Sequence, residues 1–423
     1  MKVARSADDL QAVLNASRVG FKLEQVEARR ASDWQLEKGA LQHRSRGFFS
    51  VNGAVADERT LVLLYQPQAA VTGLITALID GEPHFLLQAR AEPGCLGEAQ
   101  FGPTVQSTPA NFMRLHGGRS THYVEHFVSY EAGTSVVDDT TQLDLGERYA
   151  FKTKRSMLVS CENAPDDEAA FVWANGESLR QAVLKSAFLN IDLRSILAVS
   201  EWSDNAEGFG LSARSEKVRV SLAAPVREDE IGKVMRLLTQ PRPHSLRFVP
   251  LDNVPNWQAD DWGWHERDRR QGFEIAFFQV AAAHREVATW IQPLVNSLSD
   301  GEVALACRER SGVLEVFVRI ADETGFAGSR ALAPSFVRYP GEETAQPDWL
   351  SGAKSEVTST IESDEGGRFY RDASRYRIVR TESDCGSGGV WLRLSELKAM
   401  LRLSCVCTIQ LRGIFSQMLA ASF

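Results

Sequence analysis

No apolar run in this sequence approaches the length of a membrane span, and the opening MKVARSADDLQAVL has no uninterrupted apolar segment of the signal-peptide type. Cysteine is scarce and poorly placed for a metal. Cys95, Cys161, Cys307 and Cys385 stand alone, and Cys405-x-Cys407 lacks the second pair that would complete a zinc site. Reduced thiols in a cytoplasmic protein are the expectation. Neither a Gly-rich dinucleotide loop nor a cluster with metal-ligand spacing occurs, so no cofactor and no metal are expected. Excess positive charge is missing too. With 55 acidic against 47 basic residues the net charge is −8, which argues against a general nucleic-acid or anionic-membrane binder.

What is present fits a soluble globular chain of two or three domains at 423 residues. Ser6-Ala-Asp-Asp9 reads as a capping box for a helix carrying Leu10, Val13 and Leu14. Strand candidates are Gly47 to Val51, Leu61 to Tyr65, Ala70 to Ile79, His84 to Leu87, His122 to Tyr130 and Arg155 to Ser160. Helices are expected over Ser178 to Phe188 and from about Asp192. The pattern is α/β (α+β) with mixed strand pairing, not a strict βαβ series.

The order then repeats. Leu23, Val26 and Trp34 return as Leu246, Val249 and Trp257, each 223 residues on. Glu92, Gly94 and Pro103 match Glu323, Gly325 and Pro334 at 231. Gly146, Arg148 and Arg155 match Gly366, Arg368 and Arg375 at 220, and Trp173, Leu179, Arg194 and Ile196 match Trp391, Leu397, Arg412 and Ile414 at 218. Gln66-Pro67 is also paired with Gln292-Pro293. Offsets that drift while order is kept are what duplication followed by loop insertion produces. The expected division is 1–203, a connecting segment 204–245, and 246–423. That connector holds Gly-rich 208–210, a short strand Val218 to Leu222, the leading helix of the second repeat, and Pro241-Arg-Pro243 as its stop.

One stretch is too polar for a core element: Gln88 to Gly118, QARAEPGCLGEAQFGPTVQSTPANFMRLHGG. Such a segment is either a solvated loop or the wall of a site for a polar ligand. The repeats differ here. Gln88, Arg90, Thr104 and Gln106 become Arg319, Ala321, Ser335 and Val337, while the turn-setting Gly and Pro persist. That asymmetry suits a main site in the first repeat and a degenerate one in the second.

Several pieces resemble the nucleoside-diphosphate-hexose 2,3-dehydratase family. They are His43-Arg-Ser…Gly47-Phe-Phe-Ser-Val51, Gln88-Ala-Arg-x-Glu-Pro-Gly94, Pro103-Thr-Val-Gln106, Arg114-x-His-Gly-Gly118 and Asn190-x-Asp-x-Arg194, with Glu365-Gly-Gly-Arg-Phe-Tyr370 in the second repeat. The resemblance covers nearly the whole chain. It implies two tandem Nudix-like α/β domains without the metal-binding Nudix box, a homodimer, and loss of water across carbons 2 and 3 of a TDP-4-keto-6-deoxyhexose in deoxysugar biosynthesis. A separate ketoreductase would trap the product. The second-repeat segment Glu323-Thr-Gly325…Ala333-Pro-Ser-Phe-Val337 departs from the family pattern, and Glu147 to Lys154 matches it loosely. Two alternatives therefore stay open: a relative acting on another keto metabolite, and a non-catalytic nucleotide-sugar-binding protein.

Elimination beside a ketone needs a base, donors to the enolate oxygen and an acid for the departing hydroxyl. His116, Glu92 and Tyr123 are the candidates for proton transfer. His116 titrates near neutrality, Glu92 is a base if desolvated, and Tyr123 is a donor if it is not simply packed. Gln88, Gln100, Thr104, Gln106 and Asn111 suit sugar hydroxyls. Arg90, Arg114, Arg148 and Arg155 suit a diphosphate, and Trp34 a nucleobase unless it is core.

Overall fold

Reciprocity between the two halves of the chain governs the architecture of the computed structural model. It describes residues 2–423 apart from 58, 116, 118, 167, 201–210, 241–244, 269, 270, 283, 284, 327 and 354. The chain is mixed α/β, with four sheets and ten α-helices among the described residues.

The large sheet of the first half is centred on Ala70–Ile79, which lies antiparallel to Glu82–Ala91 and parallel to Thr153–Cys161. Nearly every residue of Ala70–Ile79 is buried, as its unbroken apolar sequence demands of a strand covered on both faces. Phe171–Asn175 and Thr134–Leu143 flank this trio. Ala99–Gly102 and Val105–Ser107 add short pairings on Glu82–Ala91 and Ala70–Ile79. The large sheet of the second half is wired in the same way. Gly301–Arg310 is central, between Val313–Ala321 and the parallel Ala373–Arg380, with Ser355–Ser363, Ala331–Ala333 and Phe336–Arg338 in matching places.

The smaller sheets also correspond, but each borrows a strand. Leu246–Val249 of the second half pairs with Ser50–Ala56 of the first, and Lys22–Gln25 of the first half pairs with Phe273–Ala281 of the second. Two turns repeat the exchange. The Gly94 amide donates to the Gly366 carbonyl at 2.9 Å, and the Gly325 amide to the Gly146 carbonyl at 2.7 Å. A Cβ on Gly94 would collide with the carbonyl oxygens of Glu365 and Phe369, and one on Gly325 with those of Tyr149 and Gly146. Close backbone approach explains why these two glycines persist where the polar lining does not.

Between the halves lie helices Ile191–Val199 and Ile409–Ala420, packed on each other and buried all round. Asn190 and Thr408 cap them in matching positions. Arg194 reaches from the first helix to Glu362 at 2.9 Å, and Arg412 from the second to the Leu143 carbonyl at 2.6 Å.

Several expectations change. Val218 to Leu222 is helical, within Glu216–Leu222, because its apolar residues pack against the neighbouring helix and strand. His122 to Tyr130 is not a strand but contains the short helix Glu125–Val128, with Phe127 buried in a side cluster. Leu64 and Val295 both face the short strands that close their sheets, against Tyr149 and Phe369, so Gln66 corresponds to Ser297 and not to Gln292. The second hairpin is longer, nine residues a strand against seven, and that shifts the match. Gly208–210 and Pro241–Pro243 lie outside the described residues.

Gly94→Ala and Gly325→Ala are each expected to lower stability by about 3 kcal/mol, since the neighbour that must yield is backbone. Gly388→Ala, with open space around it, is expected to leave the denaturant midpoint unchanged.

Candidate active site

A cavity of about 490 Å³ opens where the two halves meet. The first half supplies Trp34, His43, Arg90, Glu92, Gln106, Asn111, Lys152, Lys154 and Asp192, and the second Arg285, Glu286, Trp290, Gln292, Glu365 and Arg368. Burial orders the lining. Arg44 and Leu115 are exposed at the mouth, Phe48 and Trp290 are half-buried, and Lys152, Lys154 and Asp192 are buried on the floor.

Charge inside the cavity is tightly partnered. Arg90 donates to Glu92 at 2.8 Å through Nη2 and to Gln88 at 2.6 Å through Nη1. Arg285 reaches the same Glu92 oxygen from the other half and also lies 3.3 Å from Glu286. Burial alone would raise the Glu92 carboxyl, but the two guanidiniums overcome it and hold its pKa at about 2. Glu92 is thus a fixed anion that aims two arginines. Lys154 lies 2.8 Å from Asp192 and 3.2 Å from Asp144, and these carboxylates hold it above the ordinary lysine range despite burial. Among the described residues the Lys152 ammonium bonds only to a neutral group, the Gln66 amide oxygen, at 2.6 Å. Gln106 accepts from Asn190 at 2.9 Å, which ties the Pro103-Thr-Val-Gln106 segment to a helix cap. Gln292 donates to the Gly367 carbonyl at 2.7 Å, and Arg368 stacks over Phe49 at 5.4 Å.

The candidates from sequence divide. Trp34, Arg90, Glu92, Gln106 and Asn111 meet around the cavity, with Trp34 buried and its indole donating to the Ile291 carbonyl. Gln88 stands behind Arg90 as its acceptor. Gln100 is buried beside Arg90 in strand register and does not line the cavity. Thr104 spends its hydroxyl on the backbone, donating to the Leu86 carbonyl at 2.5 Å and accepting from the Ile75 amide. Ser335 does the same between Phe317 and Ala306, so this position is structural in both halves. Arg114 is exposed and away from the lining. Arg148 is buried between the halves, donating to the Pro340 carbonyl at 2.6 Å and stacking on Phe273. Arg155 holds Asp139 and the Tyr130 hydroxyl on the far side of its sheet. Tyr123 packs on Phe171 and donates to the Asp166 carbonyl, so it does not line the cavity. His116 lies outside the described residues.

Sequence reasoning missed Lys152, Lys154, Arg285 and the other second-half residues of the lining. One signal was available. At the 220-residue offset Lys152 and Lys154 face Asp372 and Ser374, a change of charge as marked as the one at Arg90.

An interior cavity with balanced, mutually oriented charges, built from both halves of an α/β chain, defines an enzyme-like site for a polar ligand. The sequence model of the NDP-hexose 2,3-dehydratases matches residues 10–199 and 231–418, and the chain belongs to that family. It is 27% identical over 439 residues to a dTDP-4-dehydro-6-deoxy-alpha-D-glucopyranose 2,3-dehydratase of Saccharopolyspora spinosa, covering 95% of this chain and 89% of the relative. A protein of the same name from Streptomyces violaceoruber is 28% identical over 397 residues, covering 89% and 88%. The corresponding protein of Amycolatopsis orientalis is 26% identical over 435 residues, covering 95% and 87%. No helix among the described residues is long and apolar enough to cross a membrane, and all six cysteines are free.

Because Glu92 is held near pKa 2, its contribution to stability is present above the ordinary carboxylate range, near pH 4.5, and is lost as pH falls through 2. Glu92→Gln is expected to cost about 3 kcal/mol at pH 7. Urea titrations at several pH values should show the gap to the unaltered protein narrowing between pH 4.5 and 2.

Proposed function

We propose that this protein is a carbon–oxygen lyase removing water across carbons 2 and 3 of a TDP-4-keto-6-deoxyhexose in deoxysugar biosynthesis. The observation that carries the reading is the family match over both halves of the chain, the same two halves that jointly build the cavity. The chemistry fits the lining. The proton on carbon 3 is acidified by the adjacent ketone, its removal gives an enolate, and the enolate expels the carbon-2 hydroxyl. The resulting enol rearranges to a 3,4-diketo-2,6-dideoxy sugar. Buried cations suit the enolate oxygen, and guanidiniums aimed by Glu92 suit the diphosphate.

In this reading the two similarly wired pairs of sheets are a tandem duplication of Nudix-like domains, 1–203 and 246–423, joined by 204–245. Matching strand orders and the two stretches covered by the family's sequence model support it. We also infer that the protein works in the cytoplasm as a homodimer and passes its unstable product to a ketoreductase.

Incubation with TDP-4-keto-6-deoxyglucose in deuterated water, followed by proton NMR, tests the reaction. Loss of the carbon-3 proton signal with release of free TDP is expected. TDP binding with an unchanged sugar spectrum would instead indicate a binding protein without turnover, and neither binding nor reaction would point to another keto metabolite.

A further inference from the structure

Two lysines enter the floor of the cavity on either side of Thr153, the first residue of strand Thr153–Cys161, and their surroundings differ sharply. Lys154 lies between two carboxylates, Asp192 at 2.8 Å and Asp144 at 3.2 Å. Lys152 is equally buried, yet among the described residues no carboxylate lies within ion-pair distance of its Nζ. It donates to the neutral Gln66 amide oxygen at 2.6 Å and sits 4.5 Å from the Tyr149 ring. We propose that Lys152 is the proton-transfer residue of the site, its amine taking the carbon-3 proton and its ammonium returning that proton to the hydroxyl leaving carbon 2.

The inference rests on the dehydratase reading above. The electron pair of the broken C–H bond moves into the carbon 3–carbon 4 bond and onto the ketone oxygen. It then returns to form the carbon 2–carbon 3 double bond as the carbon 2–oxygen bond breaks. The hydroxyl leaves as water with the proton carried by Lys152, so Lys152 ends the cycle as it began and no other reactant is consumed. Lys154, kept as an ammonium, is the cation for the developing oxyanion.

Two of the cavity's carboxylates are committed elsewhere. Glu92 is locked by two guanidiniums and Asp192 by Lys154. The remaining charges around Lys152 act on it in opposite directions. Burial acts first and Arg368 second, both lowering its proton affinity together with Lys154, while Asp144 and Glu365 raise it. The balance leaves Lys152 well below the ordinary lysine range. In the second half the matching positions hold Asp372 and Ser374, bonded to Ser297 and Asp364, so no basic pair exists there.

The test compares variants on TDP-4-keto-6-deoxyglucose. Lys152→Met is expected to bind TDP as tightly as the unaltered protein by calorimetry. It should lose turnover and carbon-3 proton exchange by about a thousandfold, and Lys152→Arg should do the same because a guanidinium does not deprotonate. Alkylating K152C with 2-bromoethylamine restores an amine of lower basicity. Activity should return with the acid limb of its pH profile moved to lower pH, a shift that a purely structural lysine would not produce. Turnover of Lys152→Met within about tenfold of the unaltered enzyme would overturn the assignment and leave the dehydratase reading intact. So would failure of alkylated K152C to regain activity. An inactive unaltered enzyme would remove both.

Discussion

Two backbone hydrogen bonds hold this molecule in register: the Gly94 amide to the Gly366 carbonyl, and the Gly325 amide to the Gly146 carbonyl. Each places the turn after the antiparallel neighbour of a central strand, Glu82–Ala91 or Val313–Ala321, against the turn that precedes a parallel strand of the other half. The consequences run outward. Gly366 belongs to the same turn as Glu365 and Arg368, so its position sets where those side chains enter the cavity. Glu92 precedes Gly94 by two residues, so the same contact fixes the carboxylate on which Arg90 and Arg285 converge. Lose the close approach and both walls of the cavity move.

Electrostatics at the site follow from burial of the charged groups, not from an excess of one charge. Six basic and five acidic side chains line the cavity, and the geometry pairs most of them. One carboxylate serving two guanidiniums and one ammonium serving two carboxylates are both stable arrangements in a buried place. Lys152, given a neutral partner, is the exception. Its counterpart in the other half is a carboxylate, Asp372. Asp372 and Asp364 are both pushed up by burial, and for Asp364 the charge of Asp372 adds to that effect. The same framework thus holds Lys152 beside Asp144 on one side and Asp372 beside Asp364 on the other.

How much of this could be read from the residues depended on distance along the chain. Arg90, Glu92, Gln106 and Asn111 share one short polar stretch, and short-range alternation and turn residues were enough to single them out. Thr104 belonged to the same stretch, but nothing local says that its hydroxyl serves two backbone groups. Arg285 and Glu286 sit at the end of a hairpin longer than its first-half counterpart, so the repeat gave no position to match them to. The pairing of Lys22–Gln25 with a strand more than 250 residues away leaves no mark in hydropathy, because any sheet edge satisfies the same alternation. His122 to Tyr130 alternates and still forms a helical turn, since the residues it buries, Tyr123, His126 and Phe127, are spaced as on one side of a helix.

The exchanged strands make the chain a pair of interlocked hooks, and that has a bearing on its synthesis. Lys22–Gln25 is made about 250 residues before its partner strand Phe273–Ala281. The smaller sheet of the first half likewise waits for Leu246–Val249. Neither half completes its smaller sheet on its own, so the two are expected to mature together rather than domain by domain. Separately expressed halves, even with every residue of the cavity between them, would have to find each other before either was whole.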